Sequence, residues 1–281
     1  MPVRIVQDNY GKSRVRLMKV ARLAGRHEIQ SLTLNIALEG DFDAIHIDGD
    51  NSLCLPTDTM KNTVYALAGK NDGLEQIESF GRRLTSHFLD NNAHVSRAVI
   101  DISDHSWKRM KFDGSDHPHA FVRGSREKRT AKIDATRETV SVVSGVEELI
   151  VLKSAESGFV GFIKDEYTTL PEVTDRILAT SVKATWTYGN PDNATDEVWN
   201  GIRQCILKTF SDHDSLSVQH TLYAIGEAAL AQFAEIDEIY FSLPNIHCLP
   251  VDISKFGVEN KNCIFVPTDE PHGLIEARLS R

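Results

Sequence analysis

Apolar residues alternate with polar ones along the first part of the chain. Residues 32–38 place leucine or isoleucine at every second position, and residues 12–22 alternate in a similar way. Because Gly25 lies between these two runs, the pattern predicts a long β-hairpin with one buried face. Apolar side chains then follow helical spacing in residues 57–68 and again in residues 74–88. The pattern therefore predicts a hairpin followed by two amphipathic helices.

Shorter runs beyond these helices alternate β-branched with polar residues, which predicts strands. They give the first half of the chain the element order ββααββ. The runs are residues 93–103, 107–112 and 119–124, followed by RTAKID and TVSVV.

The second half repeats this order of elements, although its residues do not obviously repeat those of the first half. Two helical stretches, residues 198–206 and 218–233, lie between groups of strand-like runs. The runs are ELIVLKS, GFVGFIK and KATWTYG before the helices, and EIYFSLP, HCLPVDI, CIFVP and GLIEARL after them.

Antiparallel strands with helices on one face predict an α+β layer architecture. We expect two tandem units, residues 1–140 and 141–281. Sheets this extended have edges that must be paired or covered, and closure into a barrel between subunits would remove those edges. An oligomer is therefore expected.

The overall charge and the cysteines limit the possible functions. Thirty-one basic against 40 acidic residues give a net charge of −9, so a diffuse basic surface for nucleic acid is not expected. The four cysteines form no CxxC pair and three lie in apolar runs, which favours buried thiols in a reducing compartment. We find no apolar core of a signal peptide, no membrane-spanning run and no terminal Ser-Lys-Leu, and we expect a cytoplasmic protein.

Several polar residues have both a structural and a catalytic interpretation. Lys12, after Gly11 at the start of the first strand, is either an exposed strand-end lysine or a general base. Thr57 or Asp58 predicts a helix N-cap, and the same helix start offers free amides to an anion and a hydroxyl for proton transfer. The local sequence does not decide between these interpretations.

The second half contains a comparable set. Arg176 lies in an acidic stretch and is either half of a surface ion pair or a planar fork for an anion. Phe159 is either a core residue or a ring that stacks on a flat heterocycle. Asn245 and His247 are two apart, so in an extended chain both face one side, and nearby prolines predict a break between strands there.

Metal and nucleotide motifs give little support for a cofactor. His117 and His119 lie two apart, and His105 precedes them, which leaves a metal site as an alternative. The chain has no HExxH, no GxGxxG, no Walker loop and no GxSxG elbow.

Taken together, a series of segments resembles urate oxidase. The segments cover nearly the whole chain in order, and their combination is far more specific than any one of them. They are YGKSRVR at 10–16, TDTMKNTVYA at 57–66, HAFVRG with EKR at 119–128, LKSAESGFVGFIKDEYTTLPEVTDRILAT at 152–180, SVQHTLY at 217–223, SLPNIH at 242–247 and GLIEA at 273–277.

The resemblance implies the tunnelling fold, assembled as a homotetramer around a central tunnel. It implies oxidation of urate by dioxygen to 5-hydroxyisourate and hydrogen peroxide, without metal or organic cofactor, at sites between two subunits. Lys12, Thr57 and His247 would form a proton relay, and Asn245 with Thr57 would hold dioxygen or water. The implied substrate-binding residues are Thr57 and Asp58 from the neighbouring subunit, with Phe159, Leu170, Arg176, Val218 (through its backbone amide), Gln219 and Asn245.

The chain departs from the family pattern at Ala155, Pro171 and Ile246, none of which has a direct role in this scheme. Two alternatives remain open. One is a pterin-handling or purine-handling enzyme of the same fold, with metal at His105, His117 and His119. The other is a purine-binding tetramer without catalytic activity.

Overall fold

The computed structural model describes residues 3–281. Its first two strands, β1 (Tyr10–Leu23) and β2 (Arg26–Gly40), pair antiparallel around a turn in which Gly25 has φ +71°. The alternating leucines and isoleucine of β2 are all buried. The hairpin predicted from the alternation is therefore confirmed.

Three helices follow, of which the two long ones were predicted. They are α1 (Asp43–Ile47), α2 (Thr57–Gly69) and α3 (Ile77–Asn91). Helix α3 packs closely on the sheet, because a Cβ at Gly81 would lie 2.3 Å from the Cδ1 of Ile133. Its buried face includes Phe80, Leu84 and Phe88, as its helical spacing predicts.

Two long strands replace the four short ones predicted after these helices. They are β3 (Val95–Phe112) and β4 (Ser115–Ala135), paired antiparallel. The interruption expected between residues 103 and 107 is a register shift between His105 and Trp107, and a second shift, between Arg109 and Lys111, lies inside a predicted run. A bulge absorbs an extra residue without ending the strand, and for this reason the predicted breaks were wrong.

The second half again places two long helices among strands. Its elements are β5 (Val140–Lys153), β6 (Leu178–Tyr188), α4 (Asp196–Asp212), α5 (Val218–Gln232), β7 (Ile236–Pro250), β8 (Phe265–Thr268) and β9 (Leu274–Ser280), with 3-10 turns at Pro191–Asn193 and Ser254–Phe256. The order ββααββ thus occurs twice, as predicted. Strands β8 and β9 both pair antiparallel with β7.

Two predictions about these strands were wrong. The run GFVGFIK forms no strand, and between β5 and β6 Phe159 makes only an isolated bridge with Val173. The predicted break near Asn245 is also absent, because β7 continues through Pro244. Proline lacks an N–H but keeps its carbonyl oxygen, which here accepts a hydrogen bond from the Thr180 hydroxyl at 2.8 Å.

The chain folds into two compact units. One comprises the chain up to Gly145 together with Thr187–Asp196, and the other comprises Val146–Trp186 and Glu197–Arg281. Both contain antiparallel strands with helices, which confirms the α+β class. The repeat boundary after residue 140 stays a prediction.

The cysteines are less buried than the sequence predicted. Cys205 is buried, Cys54 and Cys248 are half-buried, and Cys263 is exposed; all four are free thiols. Among residues 3–281, no helix is both long enough and apolar enough to cross a membrane.

Candidate active site

The second unit contains a mostly apolar cavity of about 420 Å³. It lies between the connection from β5 to β6, the start of α5 and strand β7. Six of the ten predicted site residues line it, which are Phe159, Leu170, Arg176, Val218, Asn245 and His247.

The connection between β5 and β6 holds Phe159 and Arg176 beside each other. The backbone of Phe159 exchanges two hydrogen bonds with Val173, at 2.7 and 3.1 Å, and the Arg176 amide donates to the Ser157 carbonyl oxygen at 2.7 Å. The Arg176 Cζ atom lies 5.3 Å from the centre of the Phe159 ring. These bonds give this irregular segment a defined backbone, which places Phe159 and Arg176 beside each other.

Arg176 is a half-buried cation without a carboxylate partner in the described part of the chain. Burial lowers the pKa of its guanidinium, and among residues 3–281 no carboxylate forms an ion pair with it. The surface ion pair that the acidic stretch suggested is therefore absent. A guanidinium that is partly desolvated and uncompensated favours an anion with two acceptors in one plane.

Phe159 is not a core residue. It is half-buried, and its ring stacks on Phe162 with a centroid distance of 4.8 Å and an interplanar angle of 13°. The aromatic ring therefore forms part of the cavity wall beside the Arg176 guanidinium.

Strand β7 brings Asn245 and His247 to the cavity. The Asn245 amide donates to the Gly273 carbonyl oxygen at 2.9 Å, and His247 pairs with Thr268 of β8. The Asn245 Oδ1 atom is buried and has no hydrogen-bond partner among the described residues. An unsatisfied buried acceptor costs about 1–3 kcal/mol, so this oxygen is suited to a donor that a ligand or water supplies.

Helix α5 directs its N-terminus to the cavity. The Ser217 side chain caps it by accepting from the His220 amide at 3.1 Å, and Val218 is the first helical residue. The amides of Val218 and Gln219 belong to the first turn, where backbone donors have no intrahelical acceptor. Gln219 is exposed and does not line the cavity.

The other three predicted residues lie in the first unit. Lys12 is half-buried on β1 opposite Ile36, immediately before a bulge at which Arg14 adopts φ 58°. Gly11 allows this close pairing, because a Cβ at that position would lie 1.8 Å from the Ile36 carbonyl oxygen.

The predicted cap at the start of α2 was wrong. Pro56 is the N-cap, and no side chain caps the first turn. Thr57 is instead the first helical residue, and its hydroxyl has no hydrogen-bond partner among residues 3–281. The Asp58 carboxylate accepts hydrogen bonds from the side chains of Lys61 and Asn62, one turn further along α2. The hydrogen bond from Lys61 is the main cause that lowers the pKa of Asp58, and the charge of Lys12 contributes.

The histidines proposed for a metal do not form a site. His105 lies 2.7 Å from the Thr33 hydroxyl and close to the guanidinium groups of Arg16 and Arg123. The rings of His117 and His119 pack edge to face. Within the described part of the chain, no three His, Cys, Asp or Glu side chains are placed to hold a metal ion.

The sequence did not reveal the apolar residues that complete the cavity or the glycine beside Asn245. A Cβ on Gly273 would lie 3.3 Å from the Asn245 Nδ2 atom. The segment GLIEA contains this glycine, but no local pattern links it to Asn245. The additional lining residues are Pro171, Val173, Ile177, Leu178, Ala179, Ile246, Cys248, Leu249 and Pro250.

The fold and cavity define a class of protein: an antiparallel α+β protein whose pocket combines an aromatic ring, an Asn-His pair and an arginine that has no ion-pair partner among residues 3–281. The chain matches the family model described as Uricase over residues 8–134 and 142–276. It therefore belongs to the uricase family, that is, to the urate oxidases.

Similar proteins cover nearly the whole chain. The uricase of Arthrobacter globiformis is 45% identical over 275 residues, which span 98% of this chain and 89% of that protein. The uricase of Oryctolagus cuniculus is 37% identical over 99% of this chain and 95% of its own length. The crystal structure of the A. globiformis uricase matches with a TM-score of 0.94 and 44% identity, over 100% of this chain and 96% of that one.

Proposed function

We propose that the protein catalyses the oxidation of urate by dioxygen and water to 5-hydroxyisourate and hydrogen peroxide. The observation that carries this proposal is the unpaired, half-buried guanidinium of Arg176 beside the Phe159 ring, in a cavity that Asn245 and His247 also line. A planar purine anion matches that combination of charge, shape and hydrogen-bonding groups. The names of the similar uricases support the same substrate.

In this proposal, Arg176 and Gln219 clamp one edge of urate. A guanidinium donates two parallel hydrogen bonds, and a carboxamide both donates and accepts, so together they match the alternating donors and acceptors of the purine. The free Val218 amide contributes a further donor. Phe159 stacks on the ring, and Leu170 covers the pocket.

Proton transfer is assigned to Lys12, Thr57 and His247. A hydroxyl can accept and donate a proton at once, and the Thr57 hydroxyl has no competing hydrogen bond among residues 3–281. Asn245, with its unsatisfied Oδ1, and Thr57 would hold dioxygen or water above the ring.

The substrate itself supplies the electrons. Urate loses two electrons, dioxygen gains two electrons and two protons to become hydrogen peroxide, and water provides the hydroxyl at C5. The atoms balance without another reductant, so the proposal includes no metal or organic cofactor. The protein's part is to remove protons from urate and water at the right positions.

We further propose that each site is shared between two subunits of a cytoplasmic homotetramer, with Thr57 and Asp58 supplied by the neighbouring copy. The start of α2 has an uncapped first turn, which suits contact with an anionic ligand. Closure of the sheets into a barrel between copies would satisfy their open edges.

Two of the three residues that depart from the family pattern, Pro171 and Ile246, line the cavity, whereas the third, Ala155, is exposed.

The test is to incubate chelator-dialysed protein with urate while recording ultraviolet absorbance, dioxygen uptake and peroxide. We expect urate, dioxygen and peroxide to change in a 1:1:1 ratio, as the balanced reaction requires. Loss of activity on dialysis with recovery on metal addition would favour the metal-dependent alternative. Urate binding without dioxygen uptake would identify the non-catalytic binding protein instead.

A further inference from the structure

Ser215 joins the two chain segments that form the walls of the cavity. It is fully buried and forms a parallel bridge with Ser157. Its amide donates to the Glu156 carbonyl oxygen at 2.9 Å, and its carbonyl oxygen accepts from the Gly158 amide at 2.8 Å. The backbone of Ser215 therefore pairs with the segment that carries Phe159.

The same segment is linked directly to Arg176. The Ser157 carbonyl oxygen accepts from the Arg176 amide, and the Ser157 amide donates to the Asp175 carboxylate at 3.2 Å. A continuous series of hydrogen bonds thus leads from Arg176 through Ser157 and its neighbours to Ser215.

The side chain of Ser215 connects this series to helix α5. Its hydroxyl donates to the Ser217 carbonyl oxygen at 3.1 Å and accepts from the Thr221 hydroxyl at 2.6 Å. Thr221 is also buried, and its hydroxyl lies 3.2 Å from the same Ser217 oxygen. Buried hydroxyls that satisfy one another have few alternative positions, so they fix the start of the helix.

We propose that Ser215 and Thr221 are positioning residues that hold the Val218–Gln219 end of α5 in register with Phe159 and Arg176. The inference rests on the proposed function, in which both segments contact urate. A binding constellation works only when its members are held to within a fraction of an ångström. The backbone of Ser215 bonds to the segment that carries Phe159, and its hydroxyl with that of Thr221 ties Ser215 to the start of α5. Neither residue touches the substrate in this proposal.

A change in alignment alters substrate binding more than the chemical step, because Lys12, Thr57 and His247 stay unchanged. Thr221→Val keeps the side-chain shape and removes the hydroxyl, whereas Thr221→Ser keeps the hydroxyl. We expect Thr221→Val to raise the KM for urate about five- to tenfold with kcat little changed, and Thr221→Ser to retain the original KM.

Two further variants separate alignment from stability. Ser215→Ala removes the acceptor of the hydrogen bond from the Thr221 hydroxyl and should raise the KM for urate by a similar factor. Ser211→Ala removes an exposed hydroxyl on α4 and should change nothing. Melting temperatures are measured in parallel, since a merely structural defect reduces the active fraction, and so the apparent kcat, without moving KM.

The outcomes distinguish this inference from the function on which it rests. If both Thr221→Val and Ser215→Ala keep the KM of the unaltered protein, the positioning role is overturned and the proposed urate oxidation is not affected. Equal KM increases in Thr221→Val and Thr221→Ser would also overturn it, because the hydroxyl would then not be the cause. An unaltered protein that does not consume urate would overturn the proposed function and the inference together.

Discussion

At the scale of single residues, the candidate site is marked by polar groups whose bonding capacity is unused. Among residues 3–281, Arg176 has no counterion, the buried Asn245 Oδ1 atom has no hydrogen-bond partner, and the Thr57 hydroxyl has none either. Some buried polar groups elsewhere are paired, as Glu78 is with Ser144 and Arg129, whereas the Nε2 atoms of His94 and His213 also have no hydrogen-bond partner among residues 3–281. Unpaired buried groups destabilise a fold, so the Arg176 guanidinium and the Asn245 Oδ1 atom, which line the cavity, are suited to a ligand or water that completes their hydrogen bonding.

Replacing Arg176 tests the binding role of its guanidinium. We expect Arg176→Ala to raise the KM for urate about a hundredfold, because a charged, bidentate hydrogen bond from a partly desolvated group is lost. Arg176→Lys should remain defective, since an ammonium cannot form the parallel pair of bonds. Steady-state kinetics check this, with Arg22→Ala as the control at an exposed arginine of β1. Unchanged affinity in Arg176→Ala would contradict the clamp.

Replacing Thr57 tests proton transfer. We expect Thr57→Val to lower kcat roughly a hundredfold or more, because the isosteric side chain cannot pass a proton, whereas Thr57→Ser should keep much of the activity. Thr59→Val, two residues further along α2 and exposed, is the matched control and should retain the original kcat. Single-turnover measurements would assign the change to the chemical step. A fully active Thr57→Val protein would rule out the relay through this hydroxyl.

At the scale of elements, the sequence predicted the periodic elements and missed the irregular ones. The hairpin and the long helices follow from hydrophobic spacing, which reports directly on burial. Strand length was underestimated because bulges in β3 and β4, and Pro244 in β7, do not interrupt the strands. The cap of α2 was misassigned because Pro56 takes the cap position, with φ −57° and ψ 135°, so that Thr57 is already helical.

Substitution of Gly11, compared with a control substitution at Gly69, tests how β1 positions Lys12. We expect Gly11→Ala to destabilise the protein by about 1–3 kcal/mol and to lower kcat, because the added Cβ would collide with the Ile36 carbonyl oxygen and force β1 away from β2. Gly69→Ala is the control, since a Cβ at this helical position meets nothing within 4 Å and should be neutral or slightly stabilising. Melting curves and kinetics provide both readouts. Equal stability of the two variants would show that β1 tolerates the added atom.

At the scale of the whole molecule, the family resemblance named the candidate site residues, and the structure showed which of them lie together. The resemblance to a family indicated which residues to examine, but no sequence pattern showed that residues as far apart as Phe159, Val218 and His247 line one cavity. That grouping depends on how the irregular connection before β6 packs, which has no periodic signature. Lys12 and Asp58 lie near each other in the first unit, and their role at a site shared between copies stays a prediction.

Mixing two impaired variants tests whether the site is shared between subunits. Thr57→Val and Arg176→Ala chains should each have little activity at a urate concentration near the original KM, and they are unfolded and refolded together in equal amounts. If Thr57 and Arg176 of one site come from different copies, random assembly gives about a quarter of the sites both original residues, and activity should reappear to that extent. If each site uses one chain, every site carries a substitution and the mixture stays as weakly active as the separate variants.

The control for this experiment is a double variant with both substitutions in one chain, refolded with the unaltered chain. For a shared site, equal mixing again leaves about a quarter of the sites intact, whereas a site within one chain leaves about half of them active. The two mixtures therefore give equal activity if the site is shared, whereas a site within one chain gives no intact sites in the first mixture and about half intact sites in the second. Activity in the second mixture but not in the first would assign Thr57 and Arg176 to the same chain and remove the reason for proposing an interface site.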